Sequence, residues 1–380
     1  MAEAIGGVDG VELVLVCPRP SDRLPQSVSE AIAEMRFLPE KRSRELSWHL
    51  GIQRPLVKHL ATAHREGNLD ALVSTLRPSL VVPPLFARWH GIQYRLLVEG
   101  ALGQELGSVT DLPLARPVSD VVSILNVRTA DRTFAVNEHV ARWVSSLAWV
   151  ETIPTILPHG STVEDDSGTK RTSHIEGTST TDENADGRPS DPLSAGGIPQ
   201  AEFVVGYVGS FKPYHCLPTL LKAVACLRET GHDIGLRLIG TGPKYEEITS
   251  LAATLGIDDV THFSGFVDPE EVSDYLEGVD VGYGVIPPDR AGSPMKVYDY
   301  LSCALPVIAF DDPEFQFIEQ TEAGILVDEV SVDSVRNALE ALANLPPEGR
   351  REMGARGRAY VQREGHSWGD VASEVLEGVM

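Results

Sequence analysis

Positive charge is what this chain has least of. Lysine and arginine number 32 against 55 aspartates and glutamates, a net charge of −23. A surface this acidic repels polyanions and argues against non-specific binding to nucleic acid. It suits a high-salt cytosol. Cysteine is scarce as well. Cys17, Cys216, Cys226 and Cys303 show neither metal-ligand spacing nor a paired pattern, so neither a zinc-built nor a disulfide-built fold is expected. No apolar run approaches the roughly 18 residues of a membrane span, and no signal-peptide pattern opens the chain. There is no short internal repeat. The expected class is a soluble cytosolic protein, and 380 residues suggest two domains at roughly 100–200 residues each.

What is present is an alternation of strand-like and helix-like pieces. In the first part the candidate strands are VELVLVC (11–17), SLVVPP (79–84), YRLLVE (94–99), TFAVN (133–137) and TIPTILP (152–158). Helical patterns fall at 54–66 and 138–149. Such spacing predicts a parallel sheet with crossover helices. Residues 161–200 break the pattern, with 12 Ser or Thr and 8 acidic against 3 basic residues. Few large apolar groups lie there to offset the ordering entropy, so this stretch is expected to be a disordered linker or insertion. The alternation resumes at 203 and is cleaner, through FVVGYVGSF, LPTLLKAVACLRETG, IGLRLIGTGP, YEEITSLAATLG, VTHFSGFV, PEEVSDYLEGV and DVGYGVIP. The expected domains are 1–160, the linker or insertion 161–200, a second doubly wound domain 201–370, and a C-terminal tail or helix end 371–380. Two such domains would face each other across a cleft at their strand ends.

Three loops of the second domain are shaped for a ligand. YVGSFKPYH places Gly209, Ser210, Lys212 and His215 just after a strand. GTGP puts Gly240 and Gly242, which have no Cβ to block a ligand, after the next. AGSPMKVYDYLSCALPVIAFDD (291–312) reads as buried helix then buried strand, with Val297, Leu301 and Ala304 on one face. Its helix opens with Ser293, Pro294 and Met295, presents free backbone N–H groups to a phosphate, and carries Lys296 and Asp299 one turn apart. Asp299 only accepts hydrogen bonds, which suits sugar hydroxyls. The two could equally be an i, i+3 pair worth about 0.2–0.5 kcal/mol.

GYVGSFKPYH, RLIGTGP, VTHFSGFV, SPMKVYDYLSCALPVIA and HSW (366–368) together resemble the donor-binding domain of GT-B glycosyltransferases of the family 4 type, group 1. The resemblance covers about 203–370. It implies a retaining transferase that uses a nucleotide sugar (UDP-, GDP- or TDP-linked) with no obligatory metal or other cofactor. Asp299 matches the second carboxylate of the family's Glu–seven residues–Glu motif, which binds the ribose, while the first falls on Ala291. The family's Arg and Lys after the first strand fall on Ser210 and His215, and Lys212 would supply charge. Gly209, Gly240 and Gly242 match the glycine turns. Ser293 and Pro294 match the helix start near the diphosphate, which Lys296 also neutralises. In the first domain LVEGALGQE places Glu99 where many members carry a histidine facing the sugar, and ILPHG resembles the hinge, with His159 in place of Asn. VELVLVC matches the second strand of the family pattern, so the first domain is expected to lack its first strand.

The implied partners are a nucleotide sugar and a glycan or polyprenyl-linked acceptor. Residues 36–65 hold seven basic residues against two glutamates, with Trp48 among them. That is either a solvated helix face or a patch for peripheral contact with the inner membrane face. Two other readings stay open. One is a non-catalytic GT-B partner subunit, which Ala291 and Ser210 suggest. The other is a GT-B epimerase or phosphorylase, although no lysine has a pyridoxal-phosphate context.

Overall fold

The computed structural model describes residues 1–18, 26–38, 51–67, 69–77, 80–100, 115–147, 149–158, 160, 201–268, 271–287, 295–364 and 367–379. The stretch 161–200 and residues 41, 42, 44, 48, 159, 291, 293, 294 and 366 lie outside them. The chain divides into two compact units, the first ending at Gly160 and regaining the chain from Trp368.

The first unit has two parallel sheets. β1 (Val14–Pro18) pairs with β2 (Glu34–Leu38). β3 (Ala71–Thr75), β4 (Gln93–Val98), β5 (Arg132–Ala135) and β6 (Thr155–Ile156) form a four-stranded sheet in that order. Residues 94–98 of β4 are all buried, as a central parallel strand covered on both faces requires. The expected strand at 79–84 is not one. Val82 begins a helix that runs to His90, with Pro83 and Pro84 in its first turn, where a missing N–H costs nothing. The strand that precedes this helix is β3, which starts eight residues before the expected one. The segment VELVLVC is β1, with β2 its partner among the described residues.

The second unit is a six-stranded parallel sheet in the order β12-β11-β10-β7-β8-β9. Its strands are β7 (Phe203–Val208), β8 (Ile234–Ile239), β9 (Thr261–Gly265), β10 (Val281–Gly284), β11 (Val307–Phe310) and β12 (Gly324–Val327). Alternate residues feed two cores. Val205, Tyr207, Leu236, Leu238 and Tyr283 pack with the helices Leu217–Glu229 and Val332–Ala343. Val204, Ile239, Val307 and Ala309 pack with Val297, Leu301, Phe317 and Val361 from the other side. The helix of the opening motif runs Met295–Ser302. Val297 and Leu301 are fully buried as expected. Ala304 lies beyond the helix, at φ +56 in its C-terminal turn, where Leu305 N–H donates to Tyr300 O at 2.9 Å.

The expected boundary near 370 shifts. Trp368–Leu376 is a helix of the first unit. Val375 joins Leu97 and Phe134 in an apolar cluster. Arg132 reaches Glu374 at 2.5 Å and Glu377 at 2.7 Å, and Arg95 donates to Glu377 O at 2.9 Å. Of the expected tail or helix end, the structure has the helix end, and it packs on the four-stranded sheet. No described helix is long and apolar enough to cross a membrane.

Candidate functional site

In the second unit the chain runs β7-β8-β9 to one side and β10-β11-β12 to the other. The switch point lies between β7 and β10, the place where open parallel sheets bind ligands. Gly209, Gly240, Gly242, Lys296 and His215 gather there. Gly209 follows β7 at φ +135, and a Cβ on it would lie 3.3 Å from Lys296 Cε and 3.7 Å from its Nζ. Gly240 and Gly242 sit at φ +127 and +159. A Cβ at Gly240 would meet Gly209 O at 2.1 Å, and one at Gly242 would meet Phe211 N at 2.6 Å. The glycine turns after β7 and β8 are therefore packed backbone to backbone, and only glycine fits.

Lys296 stands over this pair of turns. Its ammonium lies 5.5 Å from the Tyr207 ring centroid, a cation–π approach. Burial lowers its pKa to about 8, with Asp299 opposing and Lys212 reinforcing the shift. Asp299, one turn on, is 5% exposed. The pair is thus more than a surface i, i+3 contact. It sets one cation and one carboxylate into the protein at the switch point. Lys212 is exposed, with its Nζ 5.6 Å from the Tyr214 ring. Met295 is exposed as well.

His215 contributes no charge to the free protein. It is 7% exposed, and burial, then Lys296, lower its pKa to about 3. Its Nδ1 contacts the Ser210 carbonyl and lies 2.6 Å from the Tyr207 hydroxyl, which donates to Ser210 O at 2.8 Å. The imidazole ties down the turn, and the cations of this site are Lys296 and Lys212.

Glu99 belongs to the first unit, one residue past β4, where it pairs with Arg77 at 3.1 Å. Beside it a cavity of about 30 Å³ is lined by Leu97, Phe134, Val136, Leu157 and Trp368. Within the basic stretch, Arg36 is spent on Glu34, Glu66 and the His59 carbonyl, while Arg54 and Lys58 are exposed. Among the described residues no group of three or more His, Cys, Asp or Glu could hold a metal.

Comparison with known proteins agrees with the geometry. Residues 194–360 match the family model of the glycosyl transferases, group 1. An uncharacterized glycosyltransferase of Haemophilus influenzae is 28% identical over 144 residues, 37% of this chain and 39% of that protein. A D-inositol 3-phosphate glycosyltransferase of Arthrobacter is 27% identical over 186 residues, 48% of this chain and 43% of that protein. The chain spans about two-fifths of the length of these relatives. Among solved structures, sucrose-phosphate synthase from Thermosynechococcus elongatus superposes with a TM-score of 0.71 at 18% identity, covering 99% of this chain and 90% of that one. Anabaena HepE in complex with UDP-glucose gives 0.66 at 14% identity, with 92% and 86% covered. These likenesses establish the fold, two Rossmann-like units of the GT-B class. The group 1 match coincides with the second unit, which holds the glycine turns and Lys296.

The residues that sequence reasoning passes over are three tyrosines. Tyr207, Tyr283 and Tyr300 are buried at the strand ends, and each hydroxyl bonds to backbone there. The spacing of VGYG carries the signal. Gly282 and Gly284 alternate on the face that Tyr300 and Val297 press against, where Cβ atoms would lie 2.2 and 2.7 Å from those side chains.

Proposed function

We propose that this protein is a retaining glycosyltransferase of the family 4 type, moving a sugar from a nucleotide donor to a glycan or lipid-linked acceptor. The carrying observation is Lys296, held over Gly209 between the diverging strands of a group 1 domain. An ammonium in a partly desolvated crevice, above turns without side chains, is placed to take a diphosphate. It would stabilise the charge that develops on the leaving group, and in a low-dielectric site such stabilisation is usually the largest catalytic contribution. Lys212 adds a second, exposed cation. Asp299 accepts hydrogen bonds from the ribose, and Gly209, Ser210, Gly240 and Gly242 let the donor approach the backbone. Met295 begins the helix beside the diphosphate; Ser293 and Pro294, which the resemblance assigns to that helix start, lie outside the described residues. His215 supports the turn as a neutral group. Glu99, in the first unit, is the residue that the resemblance assigns to the sugar. HepE was crystallised with UDP-glucose, which supports a nucleotide sugar as donor here; the reading includes no obligatory cofactor. Exposed Arg54 and Lys58 favour peripheral contact with an anionic membrane face.

The test is calorimetric titration of the folded chain with UDP-, GDP- and TDP-sugars in high salt. Binding of one of them is expected, and Asp299→Ala should weaken it. A folded chain that binds none would refute the donor site and favour the non-catalytic partner reading.

A further inference from the structure

We propose that Tyr300 is the positioning residue of this anion site: its hydroxyl, set between the ends of β7 and β10, fixes where Lys296 stands. The inference rests on the donor reading above and deepens it. The ladder between β7 and β10 pairs Val205 with Val281 and Gly206 with Gly282, and then stops. Beyond it the strands part to make the crevice. The Val208 N–H, two residues further along β7, is left without a strand partner on that side. It donates to the Tyr300 hydroxyl at 2.8 Å. The same hydroxyl lies 3.2 Å from the Tyr283 carbonyl of β10 and donates to it. One phenol oxygen thus accepts from one strand and donates to the other, replacing the missing rung of the ladder.

The ring is seated as firmly as the hydroxyl. Tyr300 is fully buried, and its ring lies where a side chain at position 282 would be, 2.2 Å from a Cβ built there. Glycine at 282 is therefore the condition for the ring to reach across the strand. Lys296 precedes Tyr300 by four residues, so the two share one helix face. The helix has only eight residues, too short to hold a position by its own hydrogen bonds. Whatever fixes Tyr300 against both strands therefore fixes the height and rotation of Lys296 over Gly209. Phenylalanine would fill the same space, yet it would leave Val208 N–H and one Tyr283 lone pair unanswered and the helix free to shift.

The experiment is calorimetry on the wild-type chain, Tyr300→Phe, Lys296→Met and the double variant, with UDP, GDP and TDP and the matching nucleosides as probes. If Tyr300 acts through Lys296, Tyr300→Phe should lose about tenfold in nucleoside diphosphate affinity and little for the nucleoside. The double variant should bind no more weakly than Lys296→Met alone, since residues acting as one unit are not additive. Equal losses for nucleoside and diphosphate, fully additive losses, or unchanged binding by Tyr300→Phe would each overturn the inference while the donor reading stands. A wild-type chain that binds no nucleoside diphosphate overturns the donor reading and this inference with it. Should Tyr300→Phe fail to fold, hydrogen exchange at the Val208 amide of the wild-type chain decides. Protection equal to that of Val205 supports the bridge, and exchange at the rate of a loop amide overturns it.

Discussion

The two units are built on the same plan of parallel strands and crossover helices, but they place polar groups differently. In the second unit several polar groups near the strand ends are buried or half-buried and held by the protein. Lys296 lies over glycine turns, His215 under Tyr207, and Asp280 between Val204 N–H and Arg350. In the first unit the matching region shows an ion pair open to solvent, Glu99 with Arg77. Elsewhere on that unit large apolar groups stand exposed, including Trp89, Trp149 and Ile153. A site made of close backbone approach and dry polar bonds is rigid and costly to alter. A site made of exposed side chains is cheap to alter and easily changed in specificity. The stability response to substitution should therefore differ sharply between the units.

The largest effect is expected at Gly240. Alanine there combines φ +127 with a Cβ 2.1 Å from a backbone oxygen. Left-handed strain of about 1–2 kcal/mol and overpacking of about 1–3 kcal/mol add to about 2–5 kcal/mol. The control is Gly91→Ala in the first unit, at φ +67 with nothing within 4 Å, where only the strain of about 1–2 kcal/mol applies. Equal urea midpoints for the two variants would show that the glycine turns are not packed as described.

Next in size is Arg350→Ala. The guanidinium is 5% exposed, lies 3.0 Å from Asp280 and donates to Leu345 O at 2.6 Å. Removing it leaves a carboxylate that is 26% exposed without its cation and empties a buried site; a fully buried pair would cost about 3–5 kcal/mol. Asp280 keeps its bond from Val204 N–H, which places the expected loss at the lower end. Denaturant unfolding of the variant measures it.

Lys296→Met should go the other way. The folded-state pKa of Lys296 is lowered from 10.5 to about 8. The unfolded chain then binds more protons between those two values, so stability rises with pH across that window. At pH 7 the lysine is charged in both states, and its desolvation is a net cost. Replacing it should stabilise the chain by on the order of 1–3 kcal/mol at pH 7, with the gain shrinking as pH rises past about 8 toward 10.5. The same variant should lose nucleoside diphosphate binding. A gain in stability together with a loss of binding marks a group kept for function. Unfolding curves at pH 7 and pH 9.5 give the sign.

These contrasts also explain what the sequence could disclose. The strands of the second unit are legible because each is a short apolar run ended by glycine. β7, β8 and β10 fall where FVVGYV, IGLRLI and VGYG place them. The site glycines are legible because their backbone angles forbid other residues. β2 and β3 are not legible. EMRFL and ALVST are half-exposed strands of five residues without the fully buried apolar run that marks β7 and β8, and proline in SLVVPP imitates a strand end while opening a helix. The C-terminal helix reads as no more than a tail or helix end because its partners, Arg95 and Arg132, lie over 200 residues away. The tyrosines escape notice because the bonds of a buried hydroxyl have no local signature; only the VGYG spacing marks the face that Tyr300 presses against.

The smallest change in stability is expected where the two units differ most, at Glu99. Its partner Arg77 is more than half exposed. Such pairs contribute about 0–1 kcal/mol, so Glu99→Gln should leave the urea midpoint nearly unchanged. Its effect on turnover should be large if the carboxylate meets the sugar. A side chain that touches the reacting ring commonly contributes about 10²–10⁴-fold, and loss of its charge should lower kcat more than it raises the donor KM. Arg77→Ala serves as the control, because it frees the carboxylate without removing it. If Arg77 only holds Glu99 in place, that variant should keep most of the activity that Glu99→Gln loses. Equal activity in both variants and the wild type would assign the whole of donor handling to the second unit, and leave the first to bind acceptor alone.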